Sequence, residues 1–259
     1  MRRSRAAAVV FWIVLVFLWA PIVVLVLYSF NASRFSAVWS GFTLDWYQRL
    51  FTSAETAAAL RNTLIVSVTS TVIATVLGTA LAIGLRLHGT RLRNAIELLL
   101  YMPIIVPDII IGVATLALYV AVQMPLGHVS VILAHVAFQI SFVAFVVRAR
   151  LHGFPPSLLE AARDLGAGQW QTLRHVVLPL LAPGIAAAAL TAFALSIDDF
   201  VITYFTAGAG ASTLPVRIYS MVKRGVTPDI NALSTLMLLV TVTLFATGMR
   251  LQRGEETRT

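Results

Sequence analysis

The chain has 259 residues, of which 59% are hydrophobic and 12% are charged, and its mean hydropathy is +0.88. This composition excludes an ordinary water-soluble domain, because apolar runs of about 20 residues are typical of membrane-spanning helices. The sequence contains no cysteine, which excludes disulfides and thiolate chemistry, and the distribution of its net charge of +8 indicates membrane topology and not nucleic-acid binding.

Six apolar segments are long enough to cross a membrane as helices, so the sequence predicts an all-α integral membrane protein with a single transmembrane domain over residues 1–259. The predicted spans are 6–28, 63–85, 95–122, 129–147, 182–205 and 230–249. The first span follows the basic sequence MRRSR but is too long for the apolar region of a signal peptide. Because five more spans follow it, we expect an uncleaved membrane anchor.

The basic residues are distributed unevenly between the two sides of the predicted membrane domain. With the N-terminus inside, 13 of the 19 Lys and Arg residues lie on the inner side and 6 lie on the outer side. Cytoplasmic loops of membrane proteins carry an excess of Lys and Arg. The distribution therefore predicts that both termini are cytoplasmic.

Two further features of the sequence concern how helices pack. The outer segment 43–51, TLDWYQRLF, combines aromatic residues with Asp45 and Arg49, which predicts an amphipathic helix at the membrane surface. Small residues recur in the second and fifth spans, and they let helix backbones approach closely. They either pack this chain against itself or form a subunit interface, and they are Gly78, Ala80, Ala82, Gly84, Gly184 and Ala186 to Ala189.

The third span contains a carboxylate at a place where the helix is expected to be irregular. Asp108 lies between Pro107 and Gly112 in MPIIVPDIIIG. Ionisable groups inside spans are costly, so they are candidates for function. Asp108 either caps free backbone donors at the irregularity or contributes to a substrate pathway. Glu97, near the inner end of the span, is expected to reach an arginine such as Arg93.

The inner loop 148–181 has the sequence pattern of a short helix. Ser157 stands three residues before Glu160, which is the spacing of a capping box, and Gly166 predicts a left-handed C-terminal stop. A second helical turn is expected over 169–176, ended by Pro179.

The composition of this loop helix favours docking to a partner protein over floating on the membrane. Membrane-surface helices normally carry Lys and Arg on their polar face. Here Arg163 is the one basic residue within 158–165, while Glu160 and Asp164 are acidic. Leu158, Leu159, Ala162 and Leu165 are expected to form its apolar side. Such a helix is suited to a groove on another protein.

The fifth span ends in ALSIDDFVITYF, which places two adjacent carboxylates in its outer half. Neighbours on a helix point about 100° apart, so Asp198 and Asp199 are expected to have different surroundings. No basic residue lies deep in any predicted span, which leaves a partner subunit's arginine, protonation or a cationic substrate to balance them. Phe200 and Tyr204 share one helix face, where they either simply pack or favour an ammonium group.

The loop resembles the EAA signature of permease subunits of binding-protein-dependent ABC importers. The matching residues are Glu160-Ala161-Ala162, then Gly166 after three residues, then Val176 and Leu178-Pro179, with valine where the family usually has isoleucine. The resemblance implies a type I importer permease fold whose coupling helix inserts into a cytoplasmic ATPase. Glu160 would then pair with a basic residue of the ATPase, and Ala161 and Ala162 would permit close approach.

A narrower resemblance covers the C-terminal part of the chain. SIDDFVITYF and the segment 213–235 are similar to the second permease subunit of spermidine/putrescine importers. This implies an inner-membrane permease with Asp198, Asp199, Tyr204 and, less directly, Asp108 on the path of a polycation. The implied partners are a second permease subunit, an ABC ATPase dimer that binds ATP and Mg²⁺, and a solute-binding protein; a heterodimeric permease is expected, with a homodimer as the alternative.

Other functions fit the sequence less well. A Walker A loop needs a lysine after glycine, and the single lysine, Lys223, follows Val222, so the chain is not expected to hydrolyse ATP or to hold a cofactor. The five histidines show no metal-ligand spacing, and a packed His135 is expected. An importer for another solute, such as an amino-acid-like compound or an organic phosphonate, remains the alternative. A proton-coupled transporter could use Asp108 and Asp198 as relays but has no need for the capped loop helix.

Overall fold

The computed structural model describes residues 5–34, 38–87, 92–153, 155–225 and 227–256, which are predominantly helical. Within these ranges the extended pairing consists of one isolated antiparallel bridge between Asn31 and Phe42. The α-helices in chain order are α1 (Arg5–Tyr28), α2 (Asp45–Thr52), α3 (Ala54–Leu87), α4 (Arg93–Ile105), α5 (Asp108–Ala121), α6 (His128–His152), α7 (Pro156–Asp164), α8 (Gln169–Thr172), α9 (Leu178–Ile197), α10 (Val201–Thr206), α11 (Leu214–Val222) and α12 (Pro228–Glu256). The predicted all-α fold is confirmed.

Five stretches of the described chain are long and apolar enough to cross a membrane, and α4 with α5 supplies a sixth if that pair forms one span. The two helices are bent by 113° within the predicted span 95–122, at the place where the sequence predicts an irregular helix. The bend follows from Pro107, because a proline disfavours helical backbone in the residue before it. Val106 is accordingly extended, with φ −75° and ψ 132°.

The fifth span also differs from the prediction. The helical stretch runs over Gln169–Ile197, and α10 follows a break at Asp198–Phe200. The expected stop at Pro179 is wrong, because a π-helical turn at Leu173–Val177 carries the helix into α9. A proline lacks an N–H and crowds the carbonyl four residues earlier, and the wider π turn relieves both constraints.

The described chain divides into two compact units. The first comprises the residues up to Ala58 together with Arg217–Val240. In it the indole N–H of Trp46 donates to the Asn31 carbonyl at 2.8 Å, and the side chains of Trp46 and Leu50 are buried. Helix α2 is therefore amphipathic as predicted, and Trp46 and Leu50 on its apolar side pack against protein.

The second unit comprises Ala59–Val216 and the described residues from Thr241 onwards. Its core forms where α3, α6 and α9 meet, around Ala82, Val143, Val147, Leu181 and Ala188. A Cβ added at Gly78 would lie 2.8 Å from Val143, so α3 and α6 need glycine there.

The small residues serve packing within the chain at Gly78, Ala82, Ala187 and Ala188. In contrast, a Cβ at Gly84 would meet nothing within 4 Å. The interpretation as internal packing is thus confirmed for part of the set.

Candidate functional site

Helix α7 carries the EAA residues and begins at Pro156, preceded by extended Pro155. No side chain caps its N-terminus, so the predicted capping box of Ser157 and Glu160 is wrong. The reason is that a proline at the first helical position has a suitable φ and needs no partner for an N–H. Ser157 therefore lies inside the helix, two residues after the N-cap position at Pro155.

Helix α7 is terminated as predicted by Gly166, which follows the C-cap residue Leu165 and has a φ of +79°. The Gly166 N–H donates to the Arg163 carbonyl at 2.8 Å, and the Ala167 N–H donates to the Ala162 carbonyl at 2.9 Å. These two bonds form a Schellman motif, in which glycine adopts the left-handed conformation without steric cost.

The two faces of α7 have different environments. Leu159 packs against the core of the second unit and Ala162 is buried, whereas Glu160 and Ala161 are exposed. Glu160 has no hydrogen bond or ion pair with any part of the chain that the structure describes. Ala162 thus holds α7 on its own chain, and the exposed acid and the first alanine are the residues available to a partner.

Two apolar side chains beside α7 are exposed. Leu165, expected on the apolar side of the helix, is 88% exposed, and Trp170 at the start of α8 is 68% exposed. Trp170 also lines a groove of about 1060 Å³ between α3 and the α7–α9 region, together with Arg163. Sequence reasoning did not select Trp170, although a tryptophan in a polar loop is itself a signal of contact.

Asp108 is the first residue of α5, directly after the bend. Its carboxylate is exposed and makes no capping hydrogen bond; the Ile110 N–H donates instead to the Pro107 carbonyl at 2.9 Å. The capping interpretation of Asp108 is therefore wrong. Glu97, in contrast, lies as expected at 2.8 Å from Arg93, and it also contacts Arg148 of α6 at 2.9 Å.

Asp198 and Asp199 lie at the break between α9 and α10, where they have different surroundings as predicted. The Asp198 carboxylate is exposed, and the hydroxyl of Thr241 on α12 donates to its oxygens at 2.9 and 3.1 Å. No ion pair to Asp198 exists among the described residues. Thr241 was not anticipated, since a threonine inside an apolar span gives no signal of its own.

Asp199 is nearly buried, with 8% of its side chain exposed, and it organises the start of α10. Its Oδ2 accepts from the Thr203 N–H at 2.8 Å and from the Thr203 hydroxyl at 2.8 Å, while Oδ1 accepts from the Ile202 N–H at 3.3 Å. The Asp199 Oδ2 also lies 3.2 Å from His135 Nε2. These contacts satisfy first-turn donors that a helix leaves open.

His135 of α6 is completely buried and both of its ring nitrogens have partners. Its Nδ1 is 2.7 Å from the Ser196 hydroxyl of α9, and its Nε2 is 2.9 Å from the Thr203 hydroxyl of α10. Because Thr203 gives its hydroxyl proton to Asp199, it must accept from His135, which places a proton on Nε2. Nδ1 can then accept the proton of Ser196, whose oxygen is 3.4 Å from the Ser70 hydroxyl.

The expectation that a buried aspartate finds no partner within this chain is wrong for Asp199. The expectation that His135 packs in the interior is confirmed, but its hydrogen bonds were not foreseen. His135 and Asp199 are 64 residues apart in the sequence. Only the crossing of α6 with α9 and α10 brings them together.

Tyr204 lies on α10 with its ring centroid 5.4 Å from that of Phe200, so the predicted i, i+4 pair forms. Tyr204 is 45% exposed. The pair therefore follows the two aspartates in the chain, and both of its rings are at least partly accessible. Among the described residues, no group of three His, Asp or Glu side chains could hold a metal ion.

The sequence matches the family model described as "Binding-protein-dependent transport system inner membrane component" over residues 74–258. The chain is 37% identical over 242 residues to the spermidine/putrescine transport system permease protein PotC of Haemophilus influenzae, with 93% of this chain and 94% of that protein covered. It is 36% identical over 264 residues to the putrescine transport system permease protein PotI of Escherichia coli, with 99% and 94% covered.

Its fold is similar to that of a chain in the crystal structure of a bacterial ABC transporter involved in the import of the acidic polysaccharide alginate. The TM-score is 0.72 at 19% identity, and the similarity covers 96% of this chain and 94% of the other. At this identity the likeness concerns the fold alone.

Proposed function

Because the chain belongs to the family of binding-protein-dependent transport system inner membrane components, we propose that it is the permease subunit of an ABC importer for polyamines. As a member of that family it is a multi-pass protein of the cytoplasmic membrane, and ATP hydrolysis resides in a separate subunit. The observation that carries the polyamine assignment is the 37% identity to a spermidine/putrescine permease over 93% of the chain.

The chemistry of the α9–α10 break supports a cationic substrate. Asp198 is an exposed carboxylate without a cationic partner among the described residues, and the partly exposed ring of Tyr204 lies on the next helix. Carboxylates attract ammonium groups by charge, and aromatic faces attract them through the ring quadrupole. Asp108, exposed at the α4–α5 bend, adds a second carboxylate. Asp198, Asp108 and Tyr204 are therefore the proposed pathway contacts, and Asp199 contributes by ordering α10.

Helix α7 is the proposed contact with the ATPase. Glu160 would pair with a basic residue in a cleft of the ATPase, Ala161 would allow close approach, and Ala162 and Gly166 would hold and end the helix. This placement requires α7 to lie on the cytoplasmic side, in agreement with the excess of Lys and Arg predicted there.

The proposed assembly contains this chain, a second and different permease subunit, an ATPase dimer that binds ATP and Mg²⁺, and an external solute-binding protein. Closing of the ATPase dimer around α7 would favour the outward-open state, and hydrolysis would return the inward-open state. A ligand shifts such an equilibrium only by its differential affinity for the two states.

The test is uptake of labelled spermidine and putrescine by proteoliposomes holding the complete complex. Parallel samples contain a catalytically dead ATPase or receive a labelled organic phosphonate. We expect polyamine uptake that requires active ATPase. Phosphonate uptake without polyamine uptake would contradict the proposed substrate and retain the importer, and uptake that is indifferent to the dead ATPase would contradict the importer itself.

A further inference from the structure

The break between α9 and α10 is spanned by one buried side chain, that of His135. We propose that His135 is a positioning residue for translocation: it holds Asp199, fixes the geometry of the break, and so presents Asp198 to the cationic substrate. This inference rests on the proposed function, and nothing in the sequence resemblance assigns a role to His135.

The contacts of His135 reach both sides of the break. On the α9 side its Nδ1 is 2.7 Å from the Ser196 hydroxyl, and on the α10 side its Nε2 is 2.9 Å from the Thr203 hydroxyl. The helical backbone is interrupted between these two residues, at Asp198–Phe200. A rigid, fully buried ring therefore sets the separation of two helices that the backbone alone would leave free to pivot.

The two adjacent aspartates differ in the number of hydrogen bonds that they can still accept. Asp199 accepts two bonds from Thr203 and one from the Ile202 N–H, in addition to its contact with His135. Among the described residues, Asp198 accepts from the Thr241 hydroxyl only, and it is exposed. A carboxylate has about four acceptor sites, so Asp199 uses most of its capacity within the chain whereas Asp198 retains more of it for a ligand.

Loss of the His135 hydrogen bonds would change the orientation of Asp198, because Asp199 would move. A buried carboxylate that loses a partner seeks water or another donor, since an unpaired buried charge is costly. Asp199 is joined to Asp198 by one peptide bond, so movement of its carboxylate redirects the neighbour. The other end of α10 is restrained by α5, where a Cβ at Gly112 would lie 2.9 Å from the Phe205 ring.

The first experiment compares His135→Phe with wild type in the reconstituted complex. Phenylalanine keeps a ring in the cavity but removes both hydrogen bonds. We expect the KM for spermidine to rise about tenfold, the effect of losing one hydrogen bond to a charged group, with the maximal rate within about twofold of wild type. The matched control is His128→Phe on the same helix, where His128 Nε2 bonds Asn62 at 2.9 Å away from this cluster; its KM should stay at the wild-type value.

A double-mutant cycle separates positioning from a general loss of structure. If His135 acts through Asp199, then His135→Phe combined with Asp199→Asn should raise the KM no further than the larger single effect. When His135→Phe is combined with Asp108→Asn, the KM should rise by the product of the two single effects. An unchanged KM in His135→Phe, or multiplication of effects in the Asp199 pair, would overturn the proposal.

The remaining variants cover the case in which His135→Phe does not assemble, as judged by co-purification of the ATPase. Glutamine can place a donor near the position of Nε2, whereas asparagine is too short to reach Thr203 and Asp199. We expect His135→Gln to keep the KM within about threefold of wild type and His135→Asn to raise it about tenfold. Equal KM values in this pair would overturn the inference. Failure of the wild-type complex to transport polyamines would instead overturn the proposed function.

Discussion

Asp198 and Asp199 show at the scale of single residues how two identical side chains come to have different surroundings. Asp199 accepts from backbone and side-chain donors of α10 and is nearly buried, so it stabilises local structure. Asp198 is exposed, and within the part of the chain that the structure describes it bonds to the Thr241 hydroxyl only. A weakly held carboxylate can exchange its hydroxyl partner for an ammonium group, because charge-assisted hydrogen bonds are the stronger ones.

We expect Asp198→Asn to raise the KM for spermidine about tenfold, the factor that corresponds to the loss of one charge-assisted contact. Asparagine keeps the size and the acceptor oxygen for Thr241 but removes the charge. The measurement is the concentration dependence of uptake by proteoliposomes at constant ATPase content.

The matched control for this residue is Asp45→Asn, at an aspartate in the first turn of α2 for which no pathway role is proposed. Its KM should equal that of the wild type. A wild-type KM in Asp198→Asn would remove this carboxylate from the substrate pathway.

At the scale of elements, interruptions of the helices create the candidate sites. The bend at Pro107 exposes Asp108, and the break after Ile197 exposes Asp198. The left-handed Gly166 ends α7 so that Glu160 stands on a helix of nine residues. Each interruption leaves backbone groups or a carboxylate where a continuous span would have none.

We expect Glu160→Lys to release the ATPase from the detergent-solubilised complex, because it reverses the charge of the one exposed acidic residue in the EAA sequence. The affinity should fall at least about tenfold, as for truncation of a charge pair in a protein interface. The measurement is the amount of ATPase that co-purifies with the permease at increasing salt.

Asp45→Lys on α2 makes the same change of charge away from α7 and should retain the ATPase. Trp170→Ala should weaken co-purification as well, since its indole is 68% exposed beside α7. Full retention of ATPase in Glu160→Lys would refute α7 as the coupling helix.

At the scale of the whole molecule, the chain supplies a transmembrane domain and the proposed docking helix α7, and its sequence contains no Walker A motif. Its one lysine, Lys223, does not follow a glycine, whereas a Walker A loop requires that order. Membership of the importer family accounts for this division, because the permease and the ATPase are separate subunits.

The predicted orientation can be tested directly because the chain contains no cysteine. Thr52→Cys should react with a membrane-impermeant thiol reagent in intact spheroplasts, and Gly153→Cys should react only after permeabilisation. Both positions are exposed, and a Cβ at Gly153 comes no closer than 3.7 Å to its neighbours. The opposite pattern of labelling would place both termini outside and would remove α7 from the side of the ATPase.

Local sequence patterns were sufficient to predict most of the helices of this protein. Apolar runs of sufficient length predicted the helices because a backbone in lipid must satisfy its own hydrogen bonds. The loop signature and the left-handed Gly166 could also be predicted from the sequence, since both depend on residues close together in the chain. The predicted capping box at Ser157 is wrong for a local reason as well: the helix begins at Pro156, before Ser157.

Tertiary structure alone decided which polar groups meet. Nothing local to Asp199 reveals His135 on another helix, and nothing local to Asp198 reveals Thr241. The helices, the membrane class and the short helix of the inner loop were predictable from the sequence, because each depends on residues close together in the chain. The different surroundings of the two aspartates depend on the crossing of distant helices, because their burial and their long-range hydrogen-bond partners exist only once those helices pack.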